Sequence, residues 1–235
     1  MEIMRHEQVV SYRHSLVFLA IVAGVTALGF GAQQRSVPGG GLVETHAQVI
    51  PIYLSVTIMN WLLVLFVWKG IRKRGVAAAS IIGGRWEKPA EVLRDLGLAL
   101  VLWGILGASA WAVQSLLGEG ADKSIDILLP RTAVEVMVWI ATSASAGFCE
   151  EFVFRGYVQR QILALSQRVW VAVLGQGLVF GLMHAYQGWR AVLSITVLGV
   201  LFGTLAAWRT SLRPGMVAHA WQDVWAGWLS RLLVR

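Results

Sequence analysis

Long apolar runs separated by short polar breaks fill this chain from one end to the other. The runs fall at about 15–32, 50–68 and 95–117, then from Thr132 to beyond Glu150, then at about 168–185, 190–208 and 214–233. A helix needs about 20 mostly apolar residues to cross a bilayer, so each run is a candidate span. The pattern predicts an all-α fold, a polytopic transmembrane helical bundle of about seven spans, with eight as the alternative count. The first run follows Arg5 and Arg13 and has a signal peptide as its rival reading. No small-residue cleavage site follows it, and six further apolar segments favour a retained helix. No repeat or low-complexity tract interrupts the series. Residues 1–131 are expected to hold N-terminal transmembrane helices and loops, and 132–235 a catalytic helical core, within one integral membrane domain.

Composition strengthens the membrane reading. Only 14% of the 235 residues are charged, against about 25% in a soluble domain, too few to cover a water-facing surface. Mean hydropathy is +0.64. The net charge of +7 would raise nucleic-acid binding in a soluble protein. Here the basic residues sit in short loops, above all at 69–94, which is the positive-inside pattern, so no nucleic-acid partner is expected. That pattern places the N-terminus, the 69–94 loop, the 160–168 region and the turn from Arg209 to Arg213 in the cytoplasm. The loop at 118–131 is more acidic, with Glu119, Asp122 and Asp126. Twelve Trp suit helix ends at headgroup level. The single cysteine, Cys149, excludes an intrachain disulfide.

Chemistry enters with polar residues inside the apolar runs. A charge at the bilayer centre costs about 2.5–3.5 kcal/mol on insertion scales, so such residues usually face a cavity or a partner. They concentrate in the last hundred residues: Glu150, Glu151, Arg155, His184, His219 and Asp223. Glu151 and Arg155 are helical i,i+4 neighbours with the acid first, the favourable order for an ion pair. Glu150 lies about 100° further round and lacks that partner, which leaves it freer to act as a base. His219 and Asp223 are also i,i+4 and face one way, so Asp223 is a candidate to fix the His219 tautomer. Pro214 and Gly215 stand where that helix would begin. Gly199 and Gly203, four apart, are expected to let a neighbouring helix approach closely.

Depth sets a condition. If the fourth helix stopped at Glu150, this acid and His184 would sit at opposite ends of their helices. Residues 150–163 contain no Pro and read as helix. A helix continuing to about Leu163 puts Glu150 roughly 20 Å from its end and His184 roughly 24 Å along the next, at 1.5 Å per residue. Bringing them together therefore requires one long, tilted or kinked fourth helix of about 30 residues.

These motifs, Glu150-Glu151-x-x-x-Arg155, Phe180-x-x-x-His184 and His219-x-x-x-Asp223, resemble the signature of the CAAX protease and bacteriocin-processing family, also called the Abi family, which includes the type II CAAX prenyl endopeptidases. The likeness covers about 132–228. It implies a membrane-embedded catalytic cavity and hydrolysis by water without an acyl-enzyme. By position it implies that Glu150 activates the water with His184 beside it. Glu151 and Arg155 would hold the site's shape and charge, and His219 with the residue at Asp223 would stabilise the oxyanion. The prenyl endopeptidases typically carry Asn at the last position. An ionised Asp223 would repel an oxyanion, so it must be protonated or must orient His219.

The resemblance implies no cofactor. Two Glu and two His leave Zn²⁺ as an alternative, though HExxH is absent. Cys149 reads as small and structural. The expected partners are a peptide or lipidated protein substrate and the bilayer, in a cell membrane. Two rival functions stand beside the peptidase. One is a proton-coupled transporter, against which the confinement of the acids to one half of the chain argues; the other is a catalytically silent scaffold or immunity protein.

Overall fold

In the computed structural model the described residues are 8–35, 49–117 and 128–233. The acidic loop positions Glu119, Asp122 and Asp126, and the terminal Arg5 and Arg235, lie outside them. Helices follow one another as α1 (Tyr12–Arg35), α2 (Val49–Lys73), the short α3 (Ala78–Ile82), α4 (Pro89–Leu117) and α5 (Ala133–Glu150). A π-helical stretch, Glu151–Val158, continues α5 directly into α6 (Gln159–Ser166). Then come α7 (Val169–Met183), a 3-10 turn (Ala185–Gln187), α8 (Trp189–Arg209) and α9 (Arg213–Leu233). There is no strand among the described residues, so the chain is the polytopic helical bundle that its hydrophobic pattern predicts.

The start of α5 has a local cause. Thr132 accepts a hydrogen bond from the Glu135 N–H at 3.3 Å, and Glu135 accepts from the Thr132 N–H at 3.1 Å. This reciprocal box satisfies two donors that a helix start leaves open. From there the backbone stays helical through Ser166, a stretch of 34 residues. The long fourth helix demanded by the depth argument is therefore present. Glu150 lies sixteen residues before Ser166, about 24 Å, and His184 fifteen after Val169, about 22 Å.

Five stretches are long and apolar enough to cross a membrane: Tyr12–Gly31, Val49–Lys73, Pro89–Val113, Ala133–Ser166 and Trp189–Arg209. The other two expected spans differ. α7 has only 15 residues, about 22 Å against a hydrocarbon core of about 30 Å, because the helix ends at His184. α9 has 21 residues but carries His219, Gln222, Asp223 and Arg231. α7 packs on α8 and α9 on α5, and His219 is buried in the bundle.

Glycine faces set the helix spacing. A Cβ on Gly199 would lie 2.9 Å from the Gly177 Cα, so α7 and α8 touch backbone to backbone. A Cβ on Gly147 would lie 2.6 Å from the Ala220 backbone N, which fixes α5 against α9. The close approach expected at Gly199 is thus seen. Lipid gives helices little hydrophobic reason to associate, so packing of this kind and interhelical hydrogen bonds must hold the bundle.

The basic end is tied down by polar contacts. Asp95, buried at the start of α4, accepts from Trp86 Nε1 at 2.9 Å and pairs with Arg209 at 3.4 Å and Arg213 at 3.3 Å. Arg160 donates to the Ile81 carbonyl at 3.0 Å, and the Leu212 N–H to the Ile82 carbonyl at 2.9 Å. α3 is thereby held to α6 and to the α8–α9 turn. Gly147→Val should destabilise the bundle by about 1–3 kcal/mol through overpacking. Gly104→Ala, where a Cβ meets nothing within 4 Å, should leave stability unchanged or slightly raised. Thermal unfolding of both variants in detergent checks the contrast.

Candidate active site

The π stretch is buried on every side: all eight residues from Glu151 to Val158 are buried. Its end is marked by the Gln159 N–H donating to the Phe154 carbonyl, five residues back. Such stretches are rare and recur at functional sites. Here the stretch carries Glu151 and Arg155 and hands on to Gln159, all three facing α8 and α9. Arg155 donates to the Gly199 carbonyl at 3.3 Å and Gln159 to the Gly203 carbonyl at 2.9 Å. Both pairs have the same sequence offset, so the two segments run parallel in register. Gln176 on α7 adds a bond to the same Gly199 carbonyl at 2.7 Å. The two glycines therefore serve as acceptor sites as well as spacers.

Glu151 is the locked acid. Its Oε1 lies 3.1 Å from Arg155 Nη1 and accepts from His219 Nδ1 at 3.0 Å. Both partners of the Glu151–Arg155 pair have side chains no more than 1% exposed. The guanidinium is flanked by the Phe180 ring at 4.4 Å and the Phe202 ring at 5.0 Å, which adds cation–π attraction. The expected i,i+4 ion pair is thus formed.

Glu150 is the freer acid. It accepts from Asn60 Nδ2 of α2 at 3.1 Å and faces His219 Nε2 at 3.7 Å, and its side chain is 13% exposed. His219 sits between the acids. Because a carboxylate only accepts, the Nδ1 bond to Glu151 puts the proton on Nδ1. Nε2 then faces Glu150 at 3.7 Å and Asp223 at 3.8 Å. The tautomer is therefore set by Glu151 rather than by Asp223, which is the most open acid of the group at 35% exposure.

His184 closes α7. Its Nδ1 lies 2.9 Å from the Phe180 carbonyl. A carbonyl also only accepts, so Nδ1 carries the proton and Nε2 is left available. Among the described residues no hydrogen bond or ion pair joins His184 to Glu150 or His219. Phe180 links the two imidazoles instead, with ring centroids 5.0 Å from His184 and 6.1 Å from His219. Cys149 is fully buried, with its thiol 3.8 Å from Ser145 Oγ. Among the described residues no group of three His, Cys, Asp or Glu side chains has a geometry that could hold a metal ion.

Five of the six residues singled out by sequence, Glu150, Glu151, Arg155, His219 and Asp223, form one cluster, and His184 stands one aromatic ring away. Asn60, Gln159 and Gln176 were missed. Asn60 and Gln176 are lone polar residues in apolar runs, the criterion that selects His184, and could have been found that way. The π stretch has no comparable signal.

A polytopic helical membrane protein with an acid–histidine cluster between the long α5–α6 helix and α9 is the class that this fold and site define. Residues 132–225 match the family model described as type II CAAX prenyl endopeptidase Rce1-like. That segment holds all six site residues, and over it the chain is similar to the CAAX prenyl endopeptidases. No curated protein and no solved structure matches the chain.

Removing Arg155 leaves a carboxylate buried without its ion partner. Arg155→Ala should cost about 3–5 kcal/mol. The double variant with Glu151→Ala should cost less than the sum of the two single changes, because the residues share one interaction. A double-mutant cycle on unfolding in detergent measures that coupling.

Proposed function

We propose that the chain is an intramembrane endopeptidase that hydrolyses a peptide bond of a membrane-associated or lipidated protein substrate, using water activated by Glu150. The family is one of proteases, and the observation that carries the finer reading is the unequal setting of two adjacent acids. Glu151 is committed to Arg155 and His219 and sealed from solvent. Glu150 keeps partial exposure and one amide partner. A general base must reach both its water and the substrate, and Glu150 alone of the pair meets that condition.

The reaction runs as follows. The Glu150 carboxylate takes a proton from water, and the water oxygen bonds to the scissile carbonyl carbon. The carbonyl becomes an oxyanion. His219, as imidazolium, presents its Nε2–H to that oxyanion; the 3.7 and 3.8 Å gaps to Glu150 and Asp223 leave this proton uncommitted. Protonated Glu150 then gives its proton to the leaving nitrogen, the C–N bond breaks, and a carboxylic acid and an amine result. Arg155 and Glu151 hold His219 in place. His184 Nε2 orients the substrate or its water from the far side of Phe180. Asp223, at the open edge, balances the charge of His219. The helices that carry the cluster also expose large apolar side chains, Met137 and Ile140 on α5 and Trp225 on α9 among them, which suits a substrate delivered within the bilayer, by a lipid tail or as a transmembrane segment.

The test is cleavage of lipidated and leader-like peptides by the purified protein, with and without a strong chelator. Glu150→Gln should lower the rate at least ~100-fold with unfolding unchanged. Unchanged cleavage in that variant overturns the assignment, and loss on chelation with recovery on adding Zn²⁺ replaces the metal-free mechanism. Asp223→Asn should keep activity within about threefold or raise it, because an amide donates to an oxyanion where a carboxylate repels it. A fall of about 100-fold would instead give the Asp223 charge an essential part.

A further inference from the structure

A second polar feature lies at the basic end of the bundle, away from the acid cluster. Between the start of α1 and the end of α2 opens a cavity of about 410 Å³, lined among others by Ser11, Arg13, His14, Phe66, Lys73 and Arg74. Its charge is one-sided. Among the described residues no ion pair or hydrogen bond joins the Arg13, Lys73 or Arg74 side chain to a carboxylate. Lys69 and Arg72 extend the same basic turn of α2. Apolar side chains share the lining: Val17 and Phe66 belong to it, and Val17 is 49% exposed. Cations and apolar side chains in one lining match the two halves of an anionic lipid. A free anion would use the cations and gain nothing from the apolar wall.

We propose that this cavity binds the phosphate headgroup of an anionic phospholipid, with Arg13, Lys73 and Arg74 on the phosphate oxygens and an acyl chain along Val17 of α1. The site bridges two helices that meet through His14 and Phe18, both stacked on Phe66, at 4.1 and 6.5 Å between ring centroids. It also reaches the catalytic helix. Tyr157 of the π stretch donates to Ser15 Oγ at 3.2 Å and packs edge-on to Phe18 at 5.0 Å. A lipid that clamps α1 to α2 therefore also holds α1 against the π stretch.

Native mass spectrometry of the purified full chain, offered equal amounts of phosphatidylglycerol and phosphatidylcholine, reads the proposal directly. Phosphatidylglycerol should be retained about tenfold more than phosphatidylcholine, and Lys73→Gln/Arg74→Gln should remove about tenfold of that preference. Arg85→Gln/Lys88→Gln removes the same charge elsewhere and should leave it unchanged. Inorganic phosphate should fail to displace the lipid. Equal retention of the two lipids overturns the proposal, as does an equal loss in the two double variants, which would mean diffuse attraction. Displacement by inorganic phosphate makes the cavity a free-anion site and overturns the lipid assignment. If the α2 variant unfolds in phosphatidylcholine, Arg13→Gln on the other helix tests the same site, and it should lower the preference about threefold.

Discussion

The Arg155 guanidinium, shut inside an apolar bundle, is the constraint from which the rest of the site follows. A bare charge there would cost several kcal/mol, and its pairing with Glu151 offsets that only when the remaining groups are also satisfied. The Gly199 carbonyl takes Nη2, the Phe180 and Phe202 faces flank the guanidinium, and His219 joins through Glu151, while Arg155 Nε and Glu151 Oε2 have no hydrogen-bond partner among the described residues. Those partners come from three helices, α7, α8 and α9. The ion pair therefore acts as the point where α7, α8, α9 and the long fourth helix must agree on position.

Two backbone features make that agreement possible. The π stretch from Glu151 to Val158 turns consecutive polar side chains toward α8 and α9 while remaining buried on all sides. The glycines then bring the facing backbones within reach, so carbonyls usually locked inside a helix can accept from Arg155, Gln159 and Gln176. Side chains larger than hydrogen at Gly199 or Gly203 would fill that space. Interhelical hydrogen bonding and close packing are here one arrangement, as expected where lipid offers no hydrophobic drive between helices.

The same arrangement separates the two acids. They are neighbours in the chain, but about 100° apart on the helix they meet different surroundings. One is held by an arginine and a histidine; the other meets an asparagine from α2 and the open side of the cluster. A difference in role then needs no difference in residue type. His219 Nδ1 is oriented by the locked acid, which leaves Nε2 turned toward the freer one.

Hydrophobic periodicity alone determined the all-α membrane architecture, because only apolar runs of that length force a helix across a bilayer. The cost of a buried charge alone picked out Glu150, Glu151, Arg155, His184, His219 and Asp223, and the i,i+4 spacing correctly paired Glu151 with Arg155. The absence of Pro after Glu150 even implied the long fourth helix. Tertiary structure decided the rest. The length of α7 depended on where His184 ends it, and the His219 tautomer on Glu151, sixty-eight residues away in sequence. Asn60 joined the site only because α2 packs on α5. The π turn is buried on all sides, and no local pattern encodes it. Periodicity and spacing are properties of neighbours along the chain, whereas these contacts depend on which distant helices share a face.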